Sequence, residues 1–187
     1  PFVTLTRREL AAYFFSPIAY IVLFGMAIVA GVGYGIFLNS LFAGGAVMEP
    51  ILQNYWGATL GAAFGVLFLV PAITMRSLSE EKRTGTLEVL LTAPVSETAI
   101  VLSKFAAAWL FYMLTWLPLG LYLIGLRTEG GQPFDYRPLL SYYLALGVCG
   151  AGFIAMGLFF SGLTRNQIVA AVLTFAGLFF LLLTIIL

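Results

Sequence analysis

Arg76-Ser77-Leu78-Ser79-Glu80-Glu81-Lys82-Arg83-Thr84-Gly85-Thr86-Leu87-Glu88 is the one dense run of charge in this chain, and it stands between two long apolar stretches. Outward from it the sequence is apolar almost everywhere. Five stretches, at roughly residues 17–38, 57–75, 100–124, 139–161 and 167–187, come close to the ~20 residues that a helix needs to cross about 30 Å of hydrocarbon. Of the 187 residues, 61% are hydrophobic and only 9% charged, against about 25% charged in soluble domains. The ten-residue alternation of a transmembrane barrel is absent. The composition therefore specifies an all-α integral membrane protein, with residues 1–187 forming a single transmembrane domain.

Ahead of the first apolar stretch, residues 5–15 read as a short helix lying along the membrane surface. Leu10, Tyr13 and Phe14 share one face, while Arg7, Arg8 and Glu9 are free to stay in water. Ser16 and Pro17 suit the cap and first position of a new helix. The other reading starts the first span at Arg7 and runs it straight through.

Lysine and arginine set the orientation. Seven of the nine (Arg7, Arg8, Arg76, Lys82, Arg83, Lys104 and Arg165) fall on one side of the spans, and Arg127 and Arg137 on the other. The N-terminus and the loop at 76–99 are thus expected to be cytoplasmic. Arg76, Lys104 and Arg165 lie at span ends, where their side chains can snorkel to water. Five spans leave the last residue outside and within an apolar run, so a sixth span is expected beyond it.

The loop carries its own pattern. Glu80, Glu81, Lys82 and Arg83 form a charge patch, and Gly85 is placed to stop a helix. Thr86 can cap a second short helix with Leu87, Leu90 and Leu91 on one face, which Pro94 ends. Ser96 and Glu97 suit the start of the next span. An apolar stripe flanked by charge fits a groove on a partner, or can rest on the membrane surface.

Inside the spans, Gly57, Gly61 and Gly65 recur every fourth residue, as do Gly31 with Gly35 and Gly157 with Ser161. Small residues at this spacing let membrane helices approach closely, within one chain or between two. Pro71 and Pro118 interrupt spans two and three, as bending points or as fixed shape.

Much chemistry is excluded. Histidine is absent and Cys149 is the single cysteine, so neither a disulfide nor a Cys/His metal cage can form within the chain. No nucleophile–base pair or carboxylate pair can be assembled, and no ionisable residue falls at mid-span, where ion-coupled carriers keep one. A net charge of +1 gives no general attraction to nucleic acid. No catalytic, cofactor-binding or metal-binding residue is assigned.

Arg8-Glu9-Leu10 with Tyr13-Phe14-Phe15-Ser16-Pro17-Ile18-Ala19-Tyr20 resembles the opening of ABC-2 type permeases, nearest the gliding-motility-type branch. The stretch from Arg76 through Thr92-Ala93-Pro94, continuing to Ile100-Val101-Leu102-Ser103-Lys104-Phe105, is similar to that family's most specific segment. The resemblance implies six membrane helices, paired permease units and a cytoplasmic ABC ATPase subunit on each, with ATP and Mg²⁺ on that partner. It implies a coupling segment at residues 80–91, with Glu81, Gly85, Thr86 and Glu88 in the family's positions, and a bacterial cytoplasmic membrane as location. No Gly-x-x-x-x-Gly-Lys-Ser/Thr loop occurs, in keeping with ATP hydrolysis on a separate chain. The expected function is the permease subunit of an ATP-driven exporter. The alternative is a membrane scaffold through which an ATPase does mechanical work on another protein.

Overall fold

The computed structural model describes residues 2–43, 60–86, 96–129 and 137–186. Every regular element among them is an α-helix: α1 (Phe2–Phe14), α2 (Pro17–Ala43), α3 (Leu60–Thr74), α4 (Ser79–Thr84), α5 (Glu97–Thr115), α6 (Leu117–Glu129), α7 (Arg137–Leu163) and α8 (Gln167–Ile186). In so apolar a chain each helix satisfies its backbone internally, the only open-ended solution that hydrocarbon allows. Among the described residues four stretches are long and apolar enough to cross a membrane: Pro17–Asn39, Glu97–Tyr122, Leu139–Leu163 and Gln167–Thr184. The stretch expected at 57–75 is represented by the 15 residues of α3, and Gly57 lies outside the described residues.

The chain breaks between α1 and α2 at Phe15 and Ser16, so α1 is a helix of its own. It packs chiefly against α5 and also touches α2. Leu10 and Tyr13 lean on the core, Tyr13 stacks on Phe111 of α5 at 5.0 Å, and Phe14 meets the same ring edge-on at 5.8 Å. The apolar face read from the sequence therefore rests on a neighbouring helix.

Helix α5 is the most enclosed of the crossing helices. It contacts α1, α2, α3, α6 and α7, and its Ala107, Ala108, Phe111 and Tyr112 are fully buried. Around it α3 packs on α2, α7 and α8, and α7 on α8. The outward faces of α2, α7 and α8 carry exposed Ile, Leu, Val and Phe side chains, the surface that lipid would cover.

The two prolines have different outcomes. Pro71 sits within a continuous α3. Pro118 does not interrupt a single helix, because α5 ends at Thr115 and α6 begins at Leu117. With no N–H on Pro118 to serve the carbonyl four residues back, the chain tightens, and the Trp116 N–H bonds Met113 O at 3.2 Å. The Tyr143 hydroxyl of α7 donates to Trp116 O at 2.9 Å, supplying a donor from a neighbouring helix.

Among the glycines, a Cβ on Gly157 would stand 2.3 Å from Thr74 Oγ1, so α3 and α7 meet there at glycine distance. A Cβ on Gly31 would reach the Tyr122 hydroxyl of α6 at 3.2 Å. Around Gly35 no atom of the chain lies within 4 Å of a Cβ placed on it.

Candidate functional site

The charged run from Arg76 folds as a turn followed by α4, and the reason is local. Glu80 and Glu81 occupy the first turn of α4 and Lys82 and Arg83 its last, each complementing the helix dipole. Gly85 ends it at φ 73°, a left-handed conformation that glycine adopts without steric cost. Thr86 follows; Leu87, Glu88, Leu90, Leu91 and Pro94 lie outside the described residues, and with them the expected second short helix. Ser96 precedes α5 in an extended conformation, but its hydroxyl makes no capping bond; its carbonyl instead accepts from the N–H of Ala99 and Ile100.

Lysine 104 is the centre of the site. It was expected to snorkel, yet its side chain is 3% exposed. Its Nζ donates to Glu81 Oε1 of α4 at 2.6 Å and to Glu9 Oε2 of α1 at 3.0 Å. Lys104 stands two turns inside α5, too deep to reach water past α1 and α4, so desolvation is offset by two opposite charges. Glu9 is likewise not left in water: its side chain is 17% exposed and also accepts from Arg8 at 2.8 Å. Burial pushes the Glu9 carboxyl up, but the Arg8 hydrogen bond together with Lys104 outweighs it and holds the group below the ordinary carboxylate range.

A second pair lies alongside. Arg76 Nε donates to Glu80 Oε2 at 2.8 Å, and Arg76 Nη1 to the Ser16 hydroxyl at 3.2 Å, in the break between α1 and α2. The Arg76 hydrogen bond, opposed by partial burial and helped by the Arg76 and Arg83 charges, lowers the Glu80 carboxyl. The Tyr13 hydroxyl donates to Ile73 O at 3.1 Å, tying α1 to the end of α3.

Helix α4 is held from its other side by α7. The Ser161 hydroxyl accepts from the backbone N–H of Leu78 and of Ser79, each at 3.1 Å, and donates to Met75 O at 3.3 Å. Ser79 Oγ also donates to Met75 O, and Lys82 Nζ to Gly162 O. Six charged residues that the sequence scatters from position 9 to position 104 thus meet at one end of the bundle.

Of the expected loop residues, Glu80, Glu81 and Lys82 face inward to the junction, while Arg83, Gly85 and Thr86 are exposed. Arg7 and Arg8 are exposed on α1. The pattern reading did not place Arg76, Ser16, Ser161 or Lys104 in the site. Lys104 had one detectable signal: none of the four residues on either side of it is acidic, so a counter-charge had to come from elsewhere in the fold. Among the described residues no group of His, Cys, Asp or Glu could hold a metal ion.

The described helices and the junction define a multi-pass, all-helical membrane protein with a cluster of six charged residues at one end. Residues 48–187 match the family model described as ABC-2 family transporter protein, well over half of the chain, and the chain belongs to that family. It is a membrane permease component of an ABC transporter, a family that works with an ABC ATPase. The match begins within the stretch after α2, so α1 and Glu9 lie ahead of it. Comparison with curated proteins and with solved structures gave no match.

Proposed function

We propose that this chain is the permease subunit of an ATP-driven ABC-2 exporter in a bacterial cytoplasmic membrane, paired with a second permease subunit and moved by a separate cytoplasmic ATPase through the segment between α3 and α5. One observation carries the reading. Helix α4 is bonded to α5 through Glu81, to α7 through Ser79 and Lys82, and continues directly from α3. A push on α4 therefore reaches three membrane helices at once, which is what a coupling segment must do. The exposed Arg83 and Thr86 and the left-handed Gly85 offer the partner a rigid corner. ATP and Mg²⁺ belong to that partner, and this chain supplies the path and the lever.

The test is mild purification of the full-length subunit from its host, with identification of what accompanies it and measurement of ATPase activity. A stoichiometric P-loop ATPase that is lost on Glu88→Lys, and uncoupled by Gly85→Pro without loss of membrane insertion, supports the reading. Normal coupling in both variants would remove 80–91 from the role. Stable retention of a large periplasmic protein, in place of substrate-stimulated ATPase activity, would favour the scaffold.

A further inference from the structure

The crossing stretch Glu97–Tyr122 is apolar enough to be one helix, yet it is two, α5 and α6, which part at Trp116. Carbonyls at the break draw on donors outside the regular ladder. Tyr112 O accepts from the Thr115 hydroxyl at 2.6 Å, Met113 O from the Trp116 N–H at 3.2 Å, and Trp116 O from the Tyr143 hydroxyl of α7 at 2.9 Å.

The two sides of the break keep different company. Before it, α5 is fastened to α7: the Trp109 indole N–H donates to Gly147 O at 2.8 Å, and the Tyr112 ring lies so close to Gly150 that a Cβ there has no room. After it, α6 packs chiefly on α2. Tyr122 stacks on Tyr34 with 5.1 Å between centroids and 14° between planes, and a Cβ on Gly31 would reach the Tyr122 hydroxyl at 3.2 Å. Tyr143 crosses from the first group to the second. Its hydroxyl bonds Trp116 O and stands 2.5 Å from where a Cβ of Gly120 would be.

We infer that the break at Trp116 is a hinge within this crossing stretch and that Tyr143 is its latch. When the latch opens, α6 stays with α2 and parts from α7, while α5 stays with α7. Pro118 has no N–H to offer Leu114 O, so bending here breaks no ladder bond at that carbonyl. The N–H of Gly120, four residues beyond Trp116, is the ordinary helical donor for Trp116 O. That carbonyl therefore has a donor with the hydroxyl engaged and with it withdrawn, as a carbonyl in hydrocarbon must. The latch is one neutral hydroxyl, so opening it strands no charge. A joint with two satisfied positions is the kind of element that switches between discrete arrangements. The hinge goes beyond the transport reading and does not depend on it, because it is a property of this chain alone.

The test is electron–electron spin distance measurement on the full-length chain in phosphatidylcholine nanodiscs, with Cys149→Ser as background and unlabelled chain in excess. One label pair, Leu121→Cys with Leu144→Cys, spans α6 and α7; the other, Leu121→Cys with Ile36→Cys, spans α6 and α2. All three sites are exposed. Tyr143→Phe keeps the ring and removes the latch, and is expected to add a second, longer α6–α7 distance while the α6–α2 distance stays single. Gly120→Ala attacks the latch from the other helix, since its methyl and the Tyr143 hydroxyl cannot share the space, and should give the same result. An unaltered α6–α7 distance in either variant overturns the inference. So does an equal broadening of both pairs, which would mean general loosening rather than motion about Trp116.

Discussion

Glu81 and Lys104 stand 2.6 Å apart although 23 residues of sequence separate them, and the contact joins a short polar helix to the most enclosed apolar one. The lysine is 3% exposed and Glu81 18%, so neither charge is solvated well enough to be indifferent to its partner. Removing one member of such a group leaves the rest buried and uncompensated, which costs far more than the pair itself contributes.

Lys104→Met is accordingly expected to destabilise the protein by about 3–5 kcal/mol, since it strands Glu81 and leaves Glu9 with Arg8 alone. Adding Glu9→Gln and Glu81→Gln to it should recover much of the loss, because neutral amides tolerate the site better than carboxylates that have lost the lysine. Thermal unfolding of the purified variants in one detergent measures both. A triple variant no more stable than Lys104→Met alone would mean that the lysine acts by packing.

Ser161→Ala removes one hydroxyl and leaves the N–H groups of Leu78 and Ser79 without their acceptor. Each buried orphan costs about 1–3 kcal/mol, and the loss is local to α4. Hydrogen–deuterium exchange in nanodiscs should show faster exchange at 78–84 with α8 unchanged. Equal exchange in both proteins would show that Ser161 does not hold α4.

Gly157→Ala places a methyl 2.3 Å from Thr74 Oγ1 and within 3 Å of its Cγ2 and Cβ. The clash should cost about 1–3 kcal/mol, as overpacking does. Thr74→Ala in the same chain is expected to return part of it, and a melting-temperature cycle over the four proteins reads the coupling. Strict additivity would place the two residues out of contact.

Acid sensitivity follows from Glu9 and Glu80, whose carboxyls both lie below the ordinary value of 4.5 in the folded protein. A depressed folded value means that the unfolded chain takes up protons first as pH falls. The stabilisation is therefore complete above the ordinary carboxylate range and is lost as pH drops through the folded values. Melting temperature should be level above that range and decline below about pH 4.5, less steeply in Glu9→Gln. An identical decline in that variant would remove Glu9 as a contributor.

The helical class was legible because composition leaves a membrane chain of this kind few options, and Gly85 was legible because only its residue type suits a left-handed stop. The break before Pro17 was one of two open readings, and the chain takes it. Other features were written in distance across the fold. Lys104 lies near a span end, and snorkelling is the local expectation; α1 and α4 close over it, and neither is its neighbour in sequence. The Trp116 break was signalled by Pro118, but its position depends on Tyr143 of another helix. Ser161 looked like one more small residue, whereas its hydroxyl serves three backbone groups of the segment 75–79.

The double engagement of Lys104 has a mechanical corollary. An isolated buried ion pair resists opening because separation abandons a charge on each side. Here Glu81 can withdraw with α4 toward solvent while Lys104 keeps Glu9 at 3.0 Å, so the lysine is never left bare. Separation of Glu81 from Lys104 would thus leave the lysine paired, with Glu9 as its standing counter-charge.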